Sequence, residues 1–260
     1  MILKDKVVIV TGVGPGMGRH VCLGAAREGA KVVLAARSAN FLNVVASEIR
    51  ATGAAAVPVS SDVAIDADCK RIAQEALNAF GRIDGLVNSA YYHPAFSSLE
   101  QADLEEWKEA MDVACFGALR MIRAVLPAMK AQGGGSIVNV GTLSTRKPMP
   151  GEGGYAIAKA ALAQVTRHMA SELGPYNIRV NQSLMGWMMG VPLRNYFERY
   201  AQQSGRPVDT LMQDVAARIP LGRVPADGDC AKAVLMLLSD YTSEMTGAAV
   251  DVNGGEYMPA

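Results

Sequence analysis

A tyrosine and a lysine four residues apart, Tyr155 and Lys159, form the pair in this chain best suited to proton chemistry. They lie in the Ala-rich stretch GGYAIAKAAL, which favours a helix, so that residues i and i+4 share one helix face. A free tyrosine has a pKa of about 10 and is a poor acid or base near neutral pH. A neighbouring ammonium favours the phenolate. We therefore expect Lys159 to lower the pKa of Tyr155 and to allow proton transfer at physiological pH.

A glycine-rich loop near the N-terminus predicts a dinucleotide site. The apolar, β-branched run KVVIV at 6–10 predicts a buried strand, and TGVGPGMG at 11–18 follows it directly. A helical pattern then continues towards Gly29. A strand, a glycine loop and a helix in this order present backbone N–H groups and a helix N-terminus to a phosphate. The spacing is Thr-Gly-x-x-x-Gly-x-Gly, because Met17 stands where G-x-G-x-x-G counted from Gly12 would need its third glycine.

Composition excludes several classes of protein. With 260 residues, 50% of them hydrophobic and 19% charged, the chain suits one large α/β domain. The formal net charge of +0 provides no basic field for nucleic acid or acidic lipid, so neither a nucleic acid nor a membrane partner is expected. The four cysteines lack metal-binding spacing, which predicts no metal site and reduced thiols. No apolar run could span a bilayer, and the first predicted strand leaves no room for a signal peptide, so a cytoplasmic location is expected.

Strand-like and helix-like segments alternate along the chain. Strands are predicted at 6–10, 30–35, 55–60, 83–88, 136–140, 177–183 and 248–252. Helices are predicted after the glycine loop and at 41–51, 67–80, 99–129 with a break near Gly117, 155–173, 192–219 and 226–238. Repeated βα units with apolar strands predict a single-domain Rossmann-type fold over 1–260, a doubly wound parallel sheet with helices on both faces. The segment at about 186–220 is expected to form a substrate lid.

The residues with chemical potential follow the predicted strands. In such sheets ligands bind outside the C-terminal ends of the strands. The loop at 11–18 follows the first strand, and further candidates follow the second to sixth: Arg37, Asp62, Asn88 to Tyr91, Thr142, and Met185 with Gly186. Their shared placement predicts one extended cleft for cofactor and substrate.

These motifs together resemble the short-chain dehydrogenase/reductase family, in its shorter branch, over nearly the whole chain. The resemblance rests on TGVGPGMG, Asp62, Asn88-Ser89-Ala90, Tyr155-Ala-Ile-Ala-Lys159, Asn181 with Gly186, and the stretch DVNGG at 251–255. It implies an NAD(P)-dependent enzyme that moves a hydride between nicotinamide and a secondary alcohol or ketone, and a homo-oligomer, either dimer or tetramer. Tyr155 would be the acid/base and Lys159 would hold the nicotinamide ribose. Thr142, where relatives usually carry serine, would hydrogen-bond the reacting oxygen.

The same resemblance implies the residues that contact the cofactor. They are Thr11, Gly12, Gly16, Met17, Gly18, Arg37, Asp62, Val63, Asn88, Ala90, Gly186 and Met188, together with Tyr155 and Lys159. NAD-preferring relatives place an acid at the end of the second strand, where this chain has Ala36. The guanidinium of Arg37 can pair with a 2′-phosphate, so NADP(H) is predicted over NAD(H).

Three positions depart from the family pattern. Ala114 stands where relatives carry an asparagine that is thought to hold a water in a proton relay from the lysine. Tyr91 replaces a glycine of the Asn-Asn-Ala-Gly motif, and Gly190 lies where a threonine often binds the carboxamide. These departures concern the proton relay and the orientation of the nicotinamide.

The substrate side is rich in aromatic and methionine residues. Candidate substrate contacts are Tyr91, Tyr92, Ser144, Met149, Trp187 and Met189. Such side chains form adaptable apolar pockets, which predicts a hydrophobic alcohol or ketone that is steroid-like, alicyclic or aromatic. His93 is interpreted as an ordinary loop histidine. Two alternatives remain open, namely a 3-oxoacyl-thioester reductase and an NADP(H)-binding sensor or subunit without turnover.

Overall fold

A computed structural model describes residues 1–259 and confirms the predicted doubly wound parallel sheet. Seven parallel strands lie in the order β3-β2-β1-β4-β5-β6-β7. The strands are β1 Val7–Thr11, β2 Lys31–Ala36, β3 Ala56–Ser60, β4 Gly85–Asn88, β5 Gly135–Thr142, β6 Ile178–Met185 and β7 Ala249–Val252. β5 and β6 are longer than predicted, because their pairing continues until Thr142 meets Met185.

Nine α-helices lie in the part of the chain that the structure describes. They are α1 Met17–Arg27, α2 Ala39–Ala51, α3 Asp66–Phe80, α4 Leu104–Met111, α5 Gly117–Ala131, α6 Gly153–Leu173, α7 Val191–Ser204, α8 Val208–Ala216 and α9 Asp227–Leu238. None of the helices within 1–259 is long and apolar enough to cross a membrane.

The two faces of the sheet carry separate cores. Val8 and Val10 pack with buried side chains of α1, α2 and α9, whereas Ile9 packs with those of α3 and α5. Successive residues of a strand point to opposite faces, so a continuous apolar strand supplies both layers. This burial on both sides holds the C-terminal strand ends in one row.

The long helical region predicted at 99–129 is divided by a π-helical turn. Leu99–Gln101 forms a 3-10 turn, and Asp112–Phe116 forms the π turn between α4 and α5, just before the predicted break at Gly117. A Cβ at Gly117 would meet Cγ2 of Val63 at 2.8 Å, so glycine is required for this close approach. Ala114 lies within the turn and is buried. Such turns often mark functional sites.

The segment after β6 forms a small helical unit with its own apolar cluster. Four buried residues of α7, of α8 and of the turn after α8 pack together: Phe197, Leu211, Val215 and Ile219. Trp187 packs against this cluster. The predicted role of this segment as a lid stays a prediction.

Candidate active site

At two of its glycines, the glycine loop lies so close to other backbone atoms that a side chain would not fit. Gly12 has φ of 71°, and a Cβ there would lie 2.4 Å from the backbone nitrogen of Ala90. A Cβ at Gly18 would lie 2.5 Å from the carbonyl oxygen of Gly12. These contacts press the loop against the end of β4 and leave its backbone exposed to a ligand.

The start of α1 is suited to bind a phosphate. Gly16 precedes Met17, the first helical residue, and provides no side-chain cap, and the first turn contains no acidic residue. The first N–H groups of a helix lack partners within the helix, and the helix dipole favours an anion there. With the glycine loop, this geometry fits the pyrophosphate of a dinucleotide.

The neighbouring strand ends present further polar atoms. Thr11 Oγ1 donates to the carbonyl oxygen of Val87 at 3.2 Å, which ties β1 to β4. Asn88 Nδ2 donates to Asn139 Oδ1 at 2.9 Å, whereas Asn88 Oδ1 is buried with no partner within residues 1–259. A buried acceptor without a partner is costly, so this oxygen is available to a ligand donor. Asp62 accepts from the backbone N–H of Ala64 at 2.9 Å and so shapes the turn after β3.

Arg37 follows β2 with its side chain exposed and without an ion pair within residues 1–259. Its guanidinium is therefore free to meet a phosphate at that strand end. Among the residues described, no cluster of three or more His, Cys, Asp or Glu side chains could hold a metal ion.

Three residues after β6 that are predicted to contact the cofactor or the substrate make contacts with other parts of the chain. Gly186 donates to the carbonyl oxygen of Val252 at 3.0 Å, and Met188 packs against the core on the α1 side. Met189 forms a β-bridge with Ala226. These contacts fix the path of the chain from the end of β6 towards α7.

The expected catalytic residues come together at the end of β5 and the start of α6. Thr142 is the last residue of β5, and Tyr155 and Lys159 lie on one face of α6. Lys159 is 1% exposed, and its Nζ donates to the carbonyl oxygen of Val140 at 2.7 Å. An ammonium has three protons, so two stay available to ribose hydroxyls.

The pKa shifts of this pair differ from the expectation. Burial raises the pKa of Tyr155 well above its usual value, Tyr91 and Glu152 raise it further, and a polar contact with Thr142 opposes the rise. Burial lowers the pKa of Lys159 to about 8. The expectation that Lys159 lowers the pKa of Tyr155 is wrong in this structure. Burial dominates, and Lys159 Nζ is 5.9 Å from the centroid of the phenol ring.

A polar cluster beside Tyr155 contains two residues that the sequence interpretation missed. Thr142 Oγ1 lies 3.3 Å from Ser144 Oγ, and Ser144 Oγ donates to Glu152 Oε2 at 2.5 Å. Glu152 Oε1 lies 3.9 Å from Nε2 of His93. The sequence pattern indicates an ordinary loop residue at His93 and does not single out Glu152. The available signal was a lone carboxylate three residues before Tyr155 in a glycine-rich stretch.

Aromatic rings extend from Tyr155 to α7. The ring of His93 stacks on Tyr155 at 4.6 Å and on Phe96 at 4.8 Å between centroids. Phe96 lies 5.5 Å from Tyr196, which lies 6.4 Å from Trp187. We call His93, Phe96, Tyr196 and Trp187 the aromatic wall.

The remaining substrate candidates divide between the cleft and the outside. Tyr91 meets Tyr155 edge-on, with 6.1 Å between ring centroids. Met149 accepts the backbone N–H of Glu152 through its carbonyl oxygen and is half-buried. Tyr92 instead packs against Ala114 and the adjoining alanines of α4 and α6, away from the aromatic wall.

Comparisons with known proteins agree with this geometry. A family model described as enoyl-(acyl carrier protein) reductase matches residues 12–256. The chain is 31% identical over 253 residues to dehydrogenase/reductase SDR family member 4 of Oryctolagus cuniculus, covering 97% of this chain and 94% of that protein.

Two solved structures have the same fold. One is L-sorbose reductase of Gluconobacter frateurii with NADPH and L-sorbose, with a TM-score of 0.94 and 27% identity over 100% of both chains. The other is NAD⁺-bound xylitol dehydrogenase, with a TM-score of 0.91 and 27% identity over 98% of this chain and 100% of that chain.

Proposed function

Because this chain belongs to the short-chain dehydrogenase/reductase family and is one of its NAD(P)-dependent oxidoreductases, we propose that it moves a hydride reversibly between NADP(H) and a hydrophobic secondary alcohol or ketone. The cofactor supplies the hydride chemistry. The observation that carries the proposal is the convergence of Thr142, Tyr155 and Lys159 at the same edge of the sheet as the glycine loop and the free acceptor of Asn88.

The residues of the chain perform the proton chemistry. Tyr155 donates its proton to the substrate oxygen in carbonyl reduction and accepts the hydroxyl proton in alcohol oxidation. The Thr142 hydroxyl donates a hydrogen bond to the same oxygen, and Lys159 binds the ribose beside it. Burial raises the pKa of Tyr155, which makes a bound partner important for stabilising its phenolate.

The test is Tyr155→Phe, which removes one oxygen and keeps the ring. We expect kcat to fall by a factor of about 10³, within the range of acid–base catalysis, while NADPH binding by fluorescence is retained. Tyr241→Phe, at an exposed tyrosine far along the chain, is the matched control and should keep wild-type kcat. Full activity of Tyr155→Phe would refute the assignment. An inactive wild type that binds NADPH would support the sensor alternative instead.

Cofactor preference follows from charge at the end of β2. The exposed Arg37 can pair with a 2′-phosphate, and Ala36 places no carboxylate there to repel it. The two solved structures contain NADPH in one case and NAD⁺ in the other, so the fold accepts both. Arg37→Ala should raise KM for NADPH about tenfold and leave KM for NADH unchanged, since a charge-assisted pair contributes about 1.5 kcal/mol. Equal use of both cofactors by the wild type would contradict the preference.

The aromatic wall supports a hydrophobic substrate. Phe96 and Tyr196 continue the ring stack from Tyr155 towards α7, and offset rings favour flat or alicyclic carbon skeletons. A panel of steroids, alicyclic and aromatic ketones, polyols and 3-oxoacyl thioesters should show the highest kcat/KM for the ring ketones. Preference for the ketose sugar or the polyol named with the solved relatives, or for acyl thioesters, would refute this substrate class.

Assembly into a homo-oligomer is supported by one apolar surface. Leu104 on α4 and Ile157 on α6 are more than half exposed, and so is Phe116 at the π turn between α4 and α5. These three elements contact one another, and exposed apolar residues on neighbouring elements are typical of interaction surfaces. Light scattering should give a dimer or tetramer, and Phe116→Glu should shift it towards monomer. A monomeric wild type would contradict the proposal.

A further inference from the structure

We propose that Thr142, Ser144, Glu152 and His93 form a proton relay that connects Tyr155 with solvent. The inference rests on the proposed function, because it assigns a path to the proton that Tyr155 exchanges. The family resemblance provides no such path here, since its relay asparagine is replaced by Ala114.

The relay is connected by polar contacts from Tyr155 to Glu152 and has one wider step, between Glu152 and His93. It starts at Thr142, whose hydroxyl interacts with Tyr155, and continues to Ser144 at 3.3 Å and to Glu152 at 2.5 Å. Its last step is the 3.9 Å separation between Glu152 Oε1 and His93 Nε2. A ring movement of less than about 1 Å brings that pair to hydrogen-bonding distance. The His93 side chain is 28% exposed, so the relay ends at solvent.

The hydrogen bond of His93 at the outer end of the relay leaves its Nε2 as the atom that can accept a proton. His93 Nδ1 lies 2.8 Å from the carbonyl oxygen of Pro94. A carbonyl only accepts, so Nδ1 carries the hydrogen and neutral His93 presents a lone pair on Nε2. That lone pair faces a carboxylate oxygen. Nε2 can therefore accept a proton that arrives at Glu152.

The hydroxyl orientations match outward transfer. Ser144 donates to Glu152, so its oxygen can accept from Thr142, which in turn can accept from Tyr155. In alcohol oxidation Tyr155 takes the substrate proton. The Thr142 hydroxyl, which donates to the substrate oxygen during hydride transfer, then rotates towards Ser144. Tyr155 passes a proton to Thr142, Thr142 passes one to Ser144, and Ser144 protonates Glu152. His93 takes that proton and releases it to water. Carbonyl reduction runs the same transfers in reverse, with both hydroxyl groups rotated.

Other routes from the phenol do not reach an exposed titratable group. Lys159 Nζ is bound to the carbonyl oxygen of Val140, and Ala114 offers no polar side-chain atom. The polar chain from Asn88 through Asn139 to Thr166 consists of carboxamides and a hydroxyl, without an acid or base. Within residues 1–259, the Glu152 branch is the one we find that links Tyr155 to an exposed base.

The charges around Glu152 leave it free to exchange a proton. His93 faces it from the loop after β4, Tyr155 from α6 and Tyr196 from α7. No lysine or arginine forms an ion pair with Glu152 within the described residues. Arg146 and Lys147, which follow Ser144 closely, pair with Asp251 and Glu256 instead.

Two variants block proton transfer through the relay and keep the approximate shapes of its side chains. Glu152→Gln keeps an acceptor for Ser144 but cannot take a proton, and His93→Phe keeps the ring stack but cannot titrate. With a ring ketone and NADPH we expect each to lower kcat about tenfold and leave KM for NADPH unchanged. The kcat–pH profile should lose the ionisation contributed by the Glu152–His93 pair. Added imidazole or formate should restore part of kcat in the variants and none in the wild type.

The controls separate this inference from the proposed function. Glu109→Gln removes an exposed carboxylate on nearby α4 and should match the wild type in kcat and pH profile. Wild-type kcat and pH profile in both relay variants would overturn the relay, even with Tyr155→Phe inactive. If Glu152→Gln fails to fold, His93→Phe decides by the same measurements. Full activity of Tyr155→Phe would overturn the proposed function itself.

Discussion

The cofactor side and the substrate side of the cleft are formed by different parts of their residues. The cofactor side consists of backbone. Gly12 and Gly18 approach other main-chain atoms so closely that no side chain fits, and the strand ends behind them are buried. The substrate side consists of side chains. Its aromatic wall comes from the loop after β4, the loop after β6 and α7, and Phe96 in the first of these loops is 49% exposed.

This difference determines which substitutions each side of the cleft tolerates. A backbone cradle fits only the feature shared by all dinucleotides, the pyrophosphate, so a substitution there costs both fold and binding. Exposed rings contact each other over few atoms, and their replacement alters the shape of the pocket while the sheet stays intact. The two solved relatives share the fold at 27% identity and are named for two different compounds, sorbose and xylitol.

The largest effect should come from a methyl group in the glycine loop. In Gly12→Ala the new Cβ would lie 2.4 Å from the backbone nitrogen of Ala90, at a φ of 71°. We expect the free energy of unfolding to fall by about 4 kcal/mol, because a backbone collision adds to the left-handed strain. Urea denaturation measures this loss, and fluorescence titration should show that NADPH binding is lost.

The same loop provides the matched control. Nothing lies within 4 Å of a Cβ at Gly14, so Gly14→Ala should change the free energy of unfolding by less than about 1 kcal/mol. If Gly12→Ala and Gly14→Ala lowered the free energy of unfolding equally, the loop would be sensitive to any substitution. The close approach of Gly12 to Ala90 would then not explain the loss in Gly12→Ala.

The cofactor side could be predicted from sequence because its signals are local. A buried strand, a run of glycines and a helix stand next to each other in the chain, and Thr142, Tyr155 and Lys159 follow one strand at fixed spacing. The sheet follows from the alternation of apolar strands and helices. The structure confirms the strands, and it brings Thr142, Tyr155 and Lys159 to the end of β5 and the start of α6.

The remaining features depend on contacts between distant residues. His93 meets Glu152 across 59 positions of the chain only because the loop after β4 folds over the start of α6. Tyr92 stands beside Tyr91 in sequence yet packs on the other side, against Ala114. The pKa of Tyr155 likewise depends on burial by the folded chain, which the spacing to Lys159 does not reveal.

The buried lysine of the cofactor side should appear in the pH dependence of stability. The pKa of Lys159 is about 8 in the fold against 10.5 as its ordinary value, so between these values the unfolded chain binds more protons. Stability therefore rises with pH from 8 to 10, by about 2 kcal/mol. Above pH 10 the raised pKa of Tyr155 reverses the trend, because the unfolded chain then loses a phenol proton that the fold retains.

Lys159→Met separates the contribution of Lys159 to the pH dependence of stability from the contributions of other groups. The variant should be more stable than the wild type at pH 7 by about 2 kcal/mol and should show no rise from pH 8 to 10 in urea denaturation. Lys4→Met, at an exposed lysine, should retain the wild-type rise. A rise that survives in Lys159→Met would assign the pH dependence to other groups.

The smallest effect should come from the substrate side and should leave the cofactor side untouched. Tyr196 joins Phe96 to Trp187 through ring contacts of 5.5 and 6.4 Å, so Tyr196→Ala opens the aromatic wall while the strand ends keep their positions. We expect KM for a ring ketone to rise about tenfold, the equivalent of one lost aromatic contact of about 1.4 kcal/mol, with KM for NADPH unchanged. Tyr196→Phe keeps the ring and should keep KM, so steady-state kinetics of the pair isolates the ring from its hydroxyl. If Tyr196→Ala instead raised KM for NADPH as strongly as for the ketone, the two sides would be coupled through α7, whose Pro192 would lie 3.2 Å from a Cβ at Gly16.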